Sequence, residues 1–141
     1  MVHRNINWMR ENWREIGFYY QRDDVSLIWQ IIGSRAGLKR LCGTLKTYVR
    51  DFDAHVRTGD RGLTGPYKYL KVVNWHMASI LRDGIYGPLE SIQGLATTIE
   101  EKLNLHNPGE CFIIDEEYSD VNAYKLELVV REDEWDPSNV D

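Results

Sequence analysis

The chain has 141 residues, of which 43% are hydrophobic and 28% charged, and its 17 basic and 22 acidic side chains give a net charge of −5. This size and composition predict one globular domain over residues 1–141 and exclude a wholly disordered chain. No apolar run reaches the roughly 18 residues of a membrane helix, and the opening has no signal-peptide core, so we expect a cytoplasmic protein with no membrane association.

The first third of the chain predicts a short helix, two strands and a longer helix. Apolar side chains at spacings of three and four predict a short N-terminal helix over residues 6–17, and residues 18–21 and 26–32 are typical of strands. Ser34 is a predicted N-cap for a helix over residues 35–50, whose two glycines we expect to allow close packing on a sheet. The apolar stripe of this helix consists of Leu38, Leu41, Cys42, Leu45 and Val49.

The middle of the chain is less regular. Residues 51–66 are polar, contain glycine and lack periodicity, which predicts a mobile loop. Residues 67–73 then predict a strand and residues 79–81 a second, shorter one. The glycines and proline of residues 84–88 predict a break between elements.

The last part of the chain predicts a helix, a hairpin and a tail. The helix begins at Pro88 and runs to about Leu103, with an apolar stripe made of Leu89, Ile92, Leu95, Ala96, Ile99 and Leu103. Residues 111–114 form a short apolar strand and residues 124–131 alternate, so the two predict a hairpin closed by the loop 116–122. Residues 132–141 are acidic, and we expect them to be an extended tail.

The two halves of the chain resemble each other. The apolar positions of the two main helices align at an offset of 54 residues, and residues 65–73 align with residues 122–130 at an offset of 57. Internal duplication explains this similarity, and so do the few residue types that helices and strands use. The order β-α-β-β-α-β predicts an α+β fold, a two-layer sandwich with two main helices on one face of a mainly antiparallel sheet, ferredoxin-like or related.

The residues that could carry chemistry form no recognisable motif. The four histidines match no metal-site spacing and there is no glycine-rich phosphate loop, so no metal, cofactor or catalytic residue is predicted. Cys42 and Cys111 are predicted to be small core residues with unreactive thiols. The acidic residues at 115–120 lack the spacing of an EF-hand, which favours a solvated hairpin loop over a calcium site.

The charge is unevenly distributed, because residues 1–50 carry a net charge of +5, residues 51–100 of −1 and residues 101–141 of −9. This acidic balance argues against nucleic-acid binding and favours a module that binds a basic protein partner. A solvated acidic terminus explains the same charge. The predicted partner-binding residues are Asp115, Glu116, Glu117, Asp120, Glu132, Asp133 and Glu134.

Two other hypotheses use different parts of the molecule. A small-ligand-binding domain or enzyme would have its pocket between the sheet and the loop 51–66, with His55, Tyr67 and His76 as the residues to test. Ferredoxin-like sheets also leave strand edges free, so a homodimer formed through such an edge is the third hypothesis.

Three stretches carry a family resemblance, namely GSRAGLKRLCGTLKTYV, GPYKYLKV and EDEWDPSNVD. With them the chain resembles small bacterial proteins of uncharacterised families, and it is similar in size and charge to the immunity proteins of polymorphic toxin systems. The resemblance extends loosely from Trp13 to Asp136. It implies a cytoplasmic, non-enzymatic protein that binds and neutralises one cognate toxin, and it carries over no individual binding residue.

Overall fold

The computed structural model describes residues 16–57 and 70–137, with the backbone alone for residues 53–57. The described strands are β1 Phe18–Asp23, β2 Ile28–Ser34, β3 Lys71–Asn74, β4 Ser79–Leu81, β5 Gly84–Gly87, β6 Cys111–Ile114 and β7 Lys125–Arg131. The helices within these ranges are α1 Arg35–Arg57 and α2 Leu89–Asn104. The predicted α+β class is therefore confirmed, whereas the predicted N-terminal helix falls almost wholly on residues outside the described ranges.

The described strands form two mixed sheets, so the prediction of a single sheet is wrong, although three of their five strand pairs are antiparallel. One sheet has the order β1-β2-β7-β6, in which β2 and β7 are parallel and the outer strands antiparallel to them. The other has the order β3-β5-β4, with β3 parallel and β4 antiparallel to β5. The run GIYG, predicted as a break, provides its central strand. At Gly84 a Cβ would lie 2.0 Å from the carbonyl oxygen of Lys71, so glycine permits the close approach of β5 to β3.

Each sheet combines strands from both halves of the chain. A hairpin precedes each helix, and a strand that comes after the helix joins the hairpin of the other half, so that β3 pairs with β5 and β7 with β2. The second half has one additional strand, β6, which lies between α2 and β7 in the chain and pairs with β7. The helices begin at Arg35 and Leu89, which are separated by the same offset at which their sequences align. The internal similarity therefore coincides with a repeat of elements. Descent from a duplication, like a relation to the ferredoxin-like fold, stays a prediction.

The core lies where the two helices pack on each other and on the sheets. Both predicted stripes are confirmed, with these members buried: Leu38, Leu41, Cys42, Leu45, Ile92, Leu95, Ala96, Ile99 and Leu103. The predicted cap is also confirmed, because Ser34 Oγ accepts a hydrogen bond from the Gly37 N–H at 3.1 Å.

The predicted loop over residues 51–66 is wrong for residues 51–57, which continue α1. Phe52 follows Val49 by three residues and packs with it against the core, so the apolar stripe extends past residue 50. The remaining residues 58–66 of that loop, and residues 67–69 of the strand predicted after it, lie outside the described ranges.

Two predictions about the last part of the chain are also wrong. Strand β6 is not buried throughout, because Phe112 and Ile114 are buried while Cys111 and Ile113 are exposed on the other face. Residues 132–137 are not extended, since the Trp135 N–H donates to the Glu132 carbonyl at 3.0 Å and closes a turn. Residues 138–141 of the predicted tail lie outside the described part. Neither described helix is long and apolar enough to cross a membrane.

Candidate functional site

The predicted partner-binding residues all lie on one hairpin, but at its two ends. We call residues 110–134 the acidic hairpin; it contains β6, β7 and the loop between them. Four of the acidic residues lie in the loop, and residues 132–134 directly follow β7. At a rise of about 3.4 Å per residue, β7 alone separates the two groups by roughly 20 Å. The structure therefore divides one predicted patch into two.

Two of the loop carboxylates help to hold the loop in place. Glu117 Oε1 accepts a hydrogen bond from the Asp115 N–H at 2.6 Å, and its Oε2 lies 3.3 Å from Lys102 Nζ. The backbone hydrogen bond is the main reason that the pKa of Glu117 is lowered, and Lys102 adds to it. Asn122 Nδ2 donates to the carbonyl and to Oδ1 of Asp115, at 2.7 and 3.2 Å. Both carboxylates thus have a structural role.

The other five predicted acidic residues of the hairpin are exposed and serve no such role. No hydrogen bond or ion pair from the described residues reaches the carboxylates of Glu116 and Asp120 in the loop. The same holds for the exposed side chains of residues 132–134. These exposed carboxylates are the ones available to a partner.

Sequence reasoning missed Glu110, which belongs to the second acidic group. Its carbonyl accepts a hydrogen bond from the Val130 N–H at 2.9 Å, so it lies beside the end of β7 and near residues 132–134. Its side chain is exposed, and Oε1 accepts a hydrogen bond from the Asn107 N–H at 2.5 Å. The feature of the sequence that could have identified Glu110 is its position directly before the apolar run 111–114. With Glu110 included, acidic side chains flank β6 at both ends.

Of the three residues predicted for a ligand pocket, the structure describes the side chain of His76. It lies in an open groove of about 620 Å³ between the end of β3 and the start of α2. The groove is lined by Asn74, Trp75, His76, Pro88, Leu89 and Glu90. Trp75 is 51% exposed, and its ring centroid lies 5.0 Å from that of His76. Tyr67 and the side chain of His55 lie outside what the structure describes, so it brings His76 together with Trp75 and Glu90 instead.

Comparisons with known proteins identify no relative of this chain. No protein-family model matches the chain, and no curated protein or solved structure is significantly similar to it. Among the described residues, no three His, Cys, Asp or Glu side chains are grouped so that they could hold a metal ion. The geometry of the chain is therefore the basis on which a function is assigned.

Proposed function

We propose that the protein is a non-enzymatic binding module whose acidic hairpin recognises a basic protein partner, and that this partner is a toxin domain that it neutralises in the bacterial cytoplasm. The observation that supports binding is the exposure of Glu116 and Asp120, whose carboxylates make no hydrogen bond or ion pair with a described residue. Charges of this kind attract a basic partner during diffusion and raise the association rate more than the affinity. The resemblance to immunity proteins suggests the kind of partner.

Charge reversal at the hairpin loop tests the proposal. The variant Glu116→Lys/Asp120→Lys reverses two charges without removing a contact within the described structure. The partner is first captured from the lysate of the source cell with the unaltered protein. We expect its association with the variant to be slower by roughly tenfold at low salt and to lose most of its salt dependence. Stopped-flow measurements at several NaCl concentrations give both quantities.

A control reverses two charges on the helices, the half-exposed Asp51 and the exposed Glu101, in the variant Asp51→Lys/Glu101→Lys. We expect the control to associate at close to the rate of the unaltered protein, because Asp51 and Glu101 lie outside the acidic hairpin. Equal slowing in both variants would show that association depends on the net charge of the protein. No slowing in either variant would show that the acidic hairpin does not contribute to the association rate. Both results contradict the proposal.

Small-ligand binding or catalysis in the groove beside His76 is a second candidate function. The half-exposed Trp75 ring, close to Glu90 in the same groove, favours an aromatic or cationic ligand. A thermal-shift screen with nucleotides, amines and metal ions tests this, since a ligand at 100 times its Kd adds about 2.7 kcal/mol of stability. Trp75→Ala should abolish the shift and Met77→Ala, at an exposed neighbour, should keep it. A screen in which no compound shifts the melting temperature contradicts this candidate function.

A further inference from the structure

Strand β6 forms one edge of the four-stranded sheet, and its outer backbone groups have no partner among the described residues. The Val130 N–H donates a hydrogen bond to the Glu110 carbonyl at 2.9 Å. Along an antiparallel pair every second residue hydrogen-bonds to the partner strand, so the backbone N–H and C=O groups of Phe112 and Ile114 point towards β7. The N–H and C=O groups of Cys111 and Ile113 therefore point away from the sheet. Their side chains are exposed as well, with Ile113 at 44%.

Both described edges of the three-stranded sheet make hydrogen bonds to other parts of the chain. At β4, the Ile80 carbonyl accepts a hydrogen bond from the Tyr124 N–H at 3.0 Å, and the Ile80 N–H donates to Asn122 Oδ1 at 2.9 Å. At β3, the Asn74 N–H donates to the Tyr48 hydroxyl at 3.0 Å. Strand β6 has no such cover from the described residues. It also lacks the proline or charged residue with which proteins commonly block an edge.

The charges at the ends of β6 favour one kind of incoming strand. Glu110 precedes β6, and Asp115 and Glu116 follow it. A second copy that paired antiparallel about Ile113 would place Glu110 of each copy directly opposite Glu116 of the other, at both ends of the pair. Like charges at neighbouring cross-strand positions destabilise such pairing. A segment with lysine or arginine at both ends would place opposite charges there instead.

We infer that β6 accepts an extended segment of the basic partner, which adds to the sheet as a fifth strand. The segment has an uncharged, strand-forming middle and basic residues at both ends. The backbone groups of Cys111 and Ile113 hydrogen-bond to it, and the acidic residues at each end of β6 select it. The inference rests on the proposed function, because it specifies how the acidic hairpin binds.

The chain carries a native reporter for this edge. Cys111 is exposed on β6, whereas Cys42 is buried in α1, where burial raises the pKa of its thiol to about 12. We therefore expect iodoacetamide to alkylate Cys111 in the folded protein and Cys42 only after unfolding. The probe is a synthetic nonapeptide with a Val-Thr-Val-Thr-Val core between two pairs of lysines. If only the free protein reacts, alkylation of Cys111 slows roughly tenfold at a peptide concentration ten times its Kd. The same peptide with glutamate pairs should have no effect.

Two substitutions at one position separate the backbone from the side chain. Ile113→Pro removes an outward N–H without removing a bond to β7, and Ile113→Ala removes the side chain but keeps that N–H. We expect the lysine peptide to protect Cys111 in Ile113→Ala and not in Ile113→Pro, with Cys42 unreactive in both as evidence of folding. If Cys42 becomes reactive in Ile113→Pro, that variant has unfolded and the variant Glu110→Gln/Glu116→Gln is used in its place. The inference then requires that the lysine peptide protects Cys111 less in this variant than in the unaltered protein.

Any one of the following results would overturn the inference. The first is equal protection in Ile113→Pro and Ile113→Ala, and the second is equal protection by the glutamate peptide. The third is that the unaltered protein sediments as a dimer and Ile113→Pro as a monomer. That result would show that β6 pairs with a second copy of the chain. If Glu116→Lys/Asp120→Lys slows binding of the natural partner while Ile113→Pro leaves it unchanged, the proposed function stands and this inference fails.

Discussion

Two glycines of α1 lie in the same helix and have opposite structural roles. A Cβ at Gly37 would lie 2.0 Å from the carbonyl oxygen of Gly17, so the start of the helix touches the backbone that leads into β1. At Gly43 a Cβ would meet no atom of the described residues within 4 Å. The close packing expected for both glycines is therefore confirmed at Gly37 and wrong at Gly43, because they lie on different sides of the helix.

This difference predicts opposite effects of alanine at the two positions. Gly37→Ala forces the backbone of α1 or of Gly17 to move, and we expect it to lower the free energy of unfolding by about 1–3 kcal/mol. Gly43→Ala adds helix propensity without a clash and should raise that free energy by up to about 1 kcal/mol. Urea unfolding followed by circular dichroism measures both. Changes of the same sign would contradict the packing described for Gly37.

At the level of elements, the short strands differ most from what local patterns predict. Strand β5 consists of two glycines around Ile85 and Tyr86, a composition typical of a turn, and it is a strand because its neighbours β3 and β4 supply hydrogen bonds on both sides. Strand β6 contains four apolar residues, which predict burial on both faces. It is exposed on one face because it lies at the edge of a sheet whose helices cover the other face.

The helices behave in the opposite way. Their apolar spacing predicts both position and buried face, and the error in α1 concerns its length alone. A helix makes its backbone hydrogen bonds within itself, so its own residues determine where it forms. A strand makes them with another segment, so its formation depends on residues far along the chain.

At the scale of the whole molecule, a small group of polar contacts joins the two halves of the chain. Asp24, in the β1–β2 turn, accepts hydrogen bonds from Arg22 Nε and from the Tyr124 hydroxyl, both at 2.7 Å. It also lies 3.5 Å from an Arg82 guanidinium nitrogen in the β4–β5 turn. These contacts hold the β1–β2 turn against the start of β7 and the turn of the second hairpin.

The Asp24 contacts predict a loss of stability in acid. The hydrogen bond from Tyr124, followed by that from Arg22, lowers the pKa of Asp24 in the folded protein. Its stabilising effect is therefore present above the unfolded pKa of about 3.9 and is lost as the pH falls through the lower folded value. We expect Asp24→Asn to be less stable than the unaltered protein near neutral pH, with the difference shrinking in acid.

Urea unfolding across this pH range measures the difference. Asp51→Asn is the control, because the exposed Asp51 carboxylate pairs with Arg50, its neighbour in the same helix, and we expect little change from it at any pH. A deficit in Asp24→Asn that persists undiminished in acid would show that the loss comes from packing and not from the charge.

The amino-acid sequence by itself determined the two helices, the Ser34 cap, the β6–β7 hairpin and the acidic character of its loop. Each depends on residues that are close along the chain, such as apolar side chains spaced by three and four or a cap three residues from its donor. Only the tertiary structure decided that β3 joins β5 while β7 joins β2, that Cys111 is exposed, and that the acidic residues form two groups. These features depend on which distant segments pair and which sheet face the helices cover, and the energy of such contacts is shared by residues that no local pattern connects.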